Sequence, residues 1–267
     1  RRSAKMGAQL VCLPELYSSH YFCQSENTSN FDLAEPLYGL SFKEFSALAL
    51  ELCIVIIVPF FEKRATGIFH NSAYIINSDG KESGLYRKMH IPDDPAFYEK
   101  YYFTPGDIGF KAFDTSVGRV GTLICWDQWF PEGARITAMQ GAEILFYPTA
   151  IGWHPEEIER YGKIQHDAWM TVQRGHAVAN GVYVAACNRV GLEKPVKTTA
   201  GIQFWGSSFV AGPQGEILTS ASHDKEEIIL AEIDSELIET VRRNWPFFRD
   251  RRIDAYGGIL DRYGNGS

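Results

Sequence analysis

Apolar residues in this chain come in short blocks between turn formers, and most blocks are too brief for helices. Gln9–Leu13, Ile54–Val58, Val120–Ile124, Glu143–Tyr147 and Val182–Cys187 are dominated by Val, Ile, Leu, Phe and Ala and are bounded by Gly, Pro or polar residues. Runs of that kind predict strands buried on both faces. A helical period occurs elsewhere. In Ser41–Leu52, Phe42, Phe45, Leu48, Ala49 and Leu52 share one face, and Ser41 with Glu44 predicts a capping box. Residues 1–6 read as the tail of a helix, Glu157–Asn180 as a long helix and Ser235–Arg243 as a shorter one. Two hairpins are predicted. One joins Ser72–Ile76 to Gly84–Lys88 through Asn77-Ser78-Asp79-Gly80, the other Trp205–Ala211 to Glu216–Thr219 through Gly212-Pro213-Gln214-Gly215. Glu227–Ile233 is a further predicted strand, Ser25–Asn30 and Thr149–Pro155 are loops, and His90–Gly109 is a packed, aromatic-rich loop.

A repeat runs beneath this order. Gly7–Pro14 (GAQLVCLP) matches Gly141–Pro148 (GAEILFYP), and Ser72–Ile75 matches Ser207–Val210 at almost the same offset. Two halves with the same succession of strand, helix, strand and hairpin predict two mixed sheets, each covered by helices on one face. Packed by their free faces they form a four-layer αββα sandwich with an internal pseudo-twofold. The whole chain, 1–267, is expected to be a single domain. The Val120–Cys125 strand has no counterpart in the first half, so a strand and part of a helix are expected to be missing before Arg1.

Composition narrows the function. Charged residues make up 22% and the formal net charge is −7, with no basic block to attract nucleic acid. No apolar run is long enough to span a membrane. The five cysteines (12, 23, 53, 125 and 187) include no Cys-x-x-Cys, which argues for a reducing cytoplasm and against a zinc knuckle. Histidine spacing matches no metal motif, so neither metal nor cofactor is expected. His90, His154, His166 and His176 read as structural or surface residues.

The candidate chemistry sits where apolar segments stop. In GTLICWDQWFPEGAR the buried run ends at Cys125 and Pro131 opens a helix, which puts a thiol on a strand-to-helix turn beside unpaired N–H groups. Glu15 ends a strand in CLPEL, and Lys88 follows a hairpin in LYRKMHIP. A carboxylate can take the thiol proton, and a lysine with the Trp126 backbone N–H can hold an oxyanion. Glu99, among the aromatics of FYEKYYF, reads as a partner of Lys88 or a fourth member of the site. Taken singly, each has a plain structural explanation: Cys125 a small core residue, Glu15 a turn carboxylate, Lys88 a solvated charge.

Together, CLPELY, YRKMHIP and GTLICWDQWFPEGARI resemble, in order, the three signatures of the nitrilase, or carbon–nitrogen hydrolase, superfamily. The resemblance covers essentially the whole chain. It implies the αββα fold and a Glu-Lys-Cys triad on Glu15, Lys88 and Cys125, with Glu99 as a second glutamate. The loop HIPDDPAFYEKYYFTPGD is similar to that of the N-carbamoylputrescine amidase branch, implying a ureido substrate with a cationic tail. Asp93, Asp94, Tyr98 and Trp153 are candidates for reading that tail. Arg87 is the only arginine expected close by, which disfavours a carboxylate tail. Two alternatives stay open: a related amidase or β-ureidopropionase-type hydrolase on another carboxamide or ureido substrate, and a catalytically silent binding protein. Superfamily habit and the aromatic tail residues Trp245, Phe247 and Phe248 imply a homo-oligomer acting on a small molecule.

Overall fold

The computed structural model describes residues 1–195 and 201–264. Its strands are β1 (Leu10–Cys12), β2 (Val55–Ala65), β3 (Ile68–Ile76), β4 (Glu82–Arg87), β5 (Ala112–Thr115), β6 (Gly118–Thr122) and β7 (Ile144–Thr149). These are followed by β8 (Gly152–Trp153), β9 (Tyr183–Asn188), β10 (Val190–Glu193), β11 (Ile202–Trp205), β12 (Phe209–Ala211) and β13 (Ile217–Ser220). The helices are α1 (Arg2–Lys5), α2 (Leu40–Leu52), α3 (Glu99–Tyr102), α4 (Pro131–Met139), α5 (Ile158–Asn180) and α6 (Ser235–Asn244).

One sheet runs β1-β2-β3-β4 and the other β13-β12-β9-β7-β6-β5. The repeat is visible in the pairing. β1 lies parallel to β2 across α2, and β7 lies parallel to β9 across α5, each pair continuing into antiparallel strands. Alternation along β2 shows why its run is apolar throughout. Val55 and Ile57 enter the core between the sheets with Ile144, Phe146 and Tyr183, whereas Ile56, Val58 and Phe60 pack outward under α2. On the far side Leu145, Tyr147 and Val184 meet Ala134, Ala138, Trp169 and Ala177 of α4 and α5. The layers are therefore α2, sheet, sheet, α4 with α5: the αββα sandwich expected from the repeat.

Several elements differ from expectation. Glu227–Ile233 forms no strand. Helix α2 starts at Leu40 with Gly39 as its N-cap and no capping box; Glu35 instead accepts from the Ser41 N–H at 2.7 Å and from its hydroxyl at 2.6 Å, so a carboxylate preceding the helix does the work assigned to Glu44. The loop at Ser25–Asn30 runs into a 3-10 helix, Thr28–Leu33. β2 and β3 are longer than predicted because they form a hairpin of their own around Gly67 (φ +74°), hidden in the polar stretch Glu62–Thr66. Trp205 belongs to a separate ribbon, β10-β11-β8, rather than to the β12–β13 hairpin. Phe248 is not an exposed aromatic: it packs on the core with the guanidinium groups of Arg135 and Arg242 each 4.9 Å from its ring centre. No helix among the described residues is long and apolar enough to cross a membrane.

Candidate active site

The strand period sorts the polar residues of the first sheet. Tyr86 and Lys88 point between the sheets while Arg87, one position out of phase, points the other way to Glu62 (2.8 and 2.5 Å) and Asp107 (3.0 Å). Arg87 is thus taken up structurally and is not the arginine of the site. Lys88 is held at both backbone groups: its N–H reaches the Asn71 carbonyl at 2.8 Å and its carbonyl accepts from the Gly106 N–H at 2.7 Å. Gly106 must be glycine, since a Cβ there would stand 2.2 Å from the Arg87 carbonyl oxygen.

Lys88, Glu15 and Glu99 are fully buried, and the ammonium joins the two carboxylates. Lys88 Nζ lies 2.8 Å from Glu15 Oε1 and 2.6 Å from Glu99 Oε2. Glu15 Oε1 also accepts from Asn71 Nδ2 at 2.7 Å, and Glu99 Oε1 from the Tyr21 hydroxyl at 2.7 Å. Glu15 Oε2 is buried with no hydrogen-bond partner. A buried carboxylate oxygen without a donor is costly, and it is also a base in waiting.

Cys125 follows β6 by an extended dipeptide and opens the 3-10 helix Cys125–Trp129. Its φ of +42° is left-handed, a strained setting for a non-glycine residue that marks a tight nucleophile-type turn. The Trp126 N–H falls in the first turn of that helix, among the donors that lack an intrahelical acceptor. Burial and the Glu15 charge push the Cys125 thiol well up, with Glu99 adding to this; Lys88 and a hydrogen bond from the Ala150 backbone pull the other way. Burial alone would lower Lys88, but Glu15, Glu99 and Cys125 raise it well above an ordinary lysine. Burial, then Glu15, lift Glu99 to about 7 against the opposing pull of Lys88 and Tyr21. These influences favour the thiol form of Cys125 and the ammonium form of Lys88.

The four residues proposed for the substrate tail are placed differently. Asp93 and Asp94 are exposed, with Asp94 accepting from the Phe97 N–H in a turn. Tyr98 is half-buried and anchored by its N–H to the Cys23 carbonyl at 2.9 Å. Trp153 donates its indole N–H to Gly162 at 3.1 Å and packs against Trp205 and His166. Asn71, Tyr21 and Arg189 escaped the reading of the sequence. Asn71 had a signal, a polar His-Asn-Ser triplet inside an apolar strand; Tyr21 had none. Arg189, nearly buried, donates Nε to the Glu15 carbonyl at 3.2 Å, Nη1 to Glu193 at 2.6 Å, and Nη2 to the carbonyls of Leu16 and Ser19.

The carbon–nitrogen hydrolase family model matches residues 1–243. The N-carbamoylputrescine amidase of Oryza sativa subsp. japonica is 48% identical over 264 residues, covering 97% of this chain and 86% of that protein. The citrullinase of Francisella tularensis subsp. tularensis is 42% identical over 263 residues, covering 98% of this chain and 90% of that one. Among solved structures, the carbon–nitrogen hydrolase from Helicobacter pylori G27 is 54% identical and superposes with a TM-score of 0.95, over 98% of this chain and 91% of its own.

Proposed function

The chain belongs to the carbon–nitrogen hydrolase family, and we propose from that premise that it hydrolyses N-carbamoylputrescine through a covalent adduct on Cys125. The observation that carries the chemistry is the free, buried Glu15 Oε2 in a site where Lys88 bridges two carboxylates and the charges of Glu15 and Lys88 both act on the Cys125 thiol.

Glu15 takes the Cys125 proton as the sulfur attacks the carbamoyl carbon of R–NH–CO–NH2. The oxyanion is held by Lys88 and the Trp126 N–H, and a preorganised donor of this kind contributes about 3–4 kcal/mol in other enzymes. Glu15 returns the proton to the substrate nitrogen, the C–N bond breaks, and R–NH2 leaves a carbamoyl thioester on Cys125. Water, deprotonated by Glu15, attacks the thioester and restores the thiol. The carbamic acid released falls apart to carbon dioxide and ammonia. Glu99 keeps Lys88 fixed and charged throughout.

The diamine end rests on the relatives' names and on the arginines. Both Arg87 and Arg189 are consumed by internal partners, leaving neither to receive a carboxylate tail. The relative named citrullinase supports a second reading, with the same ureido chemistry on an amino-acid tail. Turnover of N-carbamoylputrescine, citrulline and N-carbamoyl-β-alanine, with mass spectrometry of the carbamoyl adduct, decides between them. Clear preference for either acid overturns the diamine reading; turnover by Cys125→Ala overturns the mechanism.

The same reading has the enzyme act in a reducing cytoplasm, supported by its five free thiols, and as a homo-oligomer. Exposed Trp245 and Phe247 supply apolar contact surface for a second copy. A monomeric mass in sedimentation would sink that part.

A further inference from the structure

Directly beside the nucleophile lies a buried carboxylate with no part in the chemistry above. Asp127, two residues after Cys125, has no exposed surface and accepts four hydrogen bonds. Oδ2 takes the Ile124 N–H at 2.9 Å and the Tyr86 hydroxyl at 2.7 Å. Oδ1 takes the His90 N–H at 2.9 Å and meets His90 Nδ1 at 2.7 Å.

The partners stand in a telling pattern. Ile124 precedes Cys125, so one bond closes the turn that holds the cysteine at its left-handed φ. Tyr86 and His90 flank Lys88 at two residues on either side, so the other three grip the segment that carries the lysine. The His90 ring also stacks flat on Phe130, 3.7 Å between centres and 2° between planes, just past the 3-10 helix. Lys88 comes from the first sheet and Cys125 from the second; sheet packing alone leaves their relative setting to nonpolar contacts, which tolerate small slips.

We propose that Asp127 is the positioning residue that sets Cys125 against Lys88, tying the cysteine turn to both flanks of the lysine. This rests on the reading of Cys125 and Lys88 as nucleophile and oxyanion holder. Asparagine cannot replace it. Whichever way its amide turns, the NH2 faces either the Ile124 N–H or the His90 N–H, and a backbone donor cannot become an acceptor. The bracket opens on one side, and a misplacement on the order of 1 Å costs about 100-fold in rate.

The test compares Asp127→Asn, Tyr86→Phe and His90→Gln with wild type for kcat and KM on N-carbamoylputrescine. It adds the rate at which iodoacetamide alkylates Cys125 without substrate, and melting temperature. Asp127→Asn is expected to lower kcat by about 100-fold while KM stays within about threefold, and to change the alkylation rate. Tyr86→Phe should cost about tenfold alone and less than that in the Asp127→Asn background, because the bracket it belongs to is already open on one side. If all three keep kcat within about threefold and lose only thermal stability, Asp127 merely supports the fold and the proposal is overturned. Should Asp127→Asn fail to fold, the other two variants decide by the same criterion. An active Cys125→Ala would instead remove the underlying reading, whatever the Asp127 variants do.

Discussion

Arg189 donates its Nε proton to the backbone carbonyl of Glu15 at 3.2 Å, so a residue of the second half holds the loop that presents the first half's carboxylate. The same guanidinium reaches the carbonyl of Leu16, whose φ of +49° is a second strained position at the rim of the site. Left-handed backbone at a leucine persists only where its surroundings impose it. Arg189 supplies that constraint, and Glu193, itself accepting from the Tyr21 N–H at 2.6 Å, holds Arg189.

Replacing Arg189 with Met therefore removes the ion pair of Glu193 and the guanidinium's hydrogen bonds to three carbonyl groups. Removing one partner of a buried pair costs about 3–5 kcal/mol, so the melting temperature should fall markedly. Arg189→Lys keeps the charge but not the fork, and should recover only part of the stability and less of kcat. A lysine variant with wild-type kcat would show that charge alone suffices.

Gly106→Ala tests how closely the lysine segment is confined. The added Cβ meets the Arg87 and Lys88 carbonyls, which are backbone and cannot swing aside. Overpacking of this kind costs about 1–3 kcal/mol. Because the strained atoms belong to Lys88 and its neighbour, kcat should drop by an order of magnitude or so while KM moves little. Unchanged kinetics with an unchanged melting temperature would contradict the close approach.

These residues show where sequence reading succeeds and where it stops. Period-two burial is local, so Lys88 and its strand were legible, and the repeat around Leu10 and Ile144 announced the two sheets. Gly106 looks like an ordinary loop glycine in TPGD. Its role depends on the Arg87 carbonyl, brought close by a backbone hydrogen bond across a long loop. Arg189 lies well over a hundred residues from the carbonyls it binds, and nothing in CNRVG distinguishes it from a surface arginine. Arg87 made the opposite error easy: adjacent to Lys88 in sequence, it is on the other face of the sheet. Glu227–Ile233 carries the apolar run of a strand but pairs with none of the described strands, and an apolar run alone forms no ladder.

Glu99→Gln should separate positioning from binding. Glutamine keeps an oxygen for Lys88 but removes a charge that holds the ammonium, and its NH2 is a poor acceptor for the Tyr21 hydroxyl. Loss of about 100-fold in kcat with KM within a few-fold is expected, as for a misplaced catalytic group. Equal loss in both would assign Glu99 to substrate binding instead.

The same residue gives a pH signature in stability. Glu99 is raised from 4.5 to about 7, foremost by burial. Below about pH 4.5 both folded and unfolded chains hold its proton, and it contributes no slope. Between there and about 7 the unfolded chain has released the proton while the folded chain keeps it, so stability falls as pH rises. Above 7 both are ionised and the loss is complete, at most about 3 kcal/mol for that separation. Lys88 is raised as well, so its contribution is lost only above the ordinary lysine range, outside this window. Relative to wild type, Glu99→Gln should gain melting temperature from pH 5 to about pH 7 and level off by pH 8. Thermal melts of both proteins across those values read the difference directly. A flat difference, or one that turns toward wild type with rising pH, would mean that Glu99 is ionised throughout and that the Lys88 ammonium outweighs its burial.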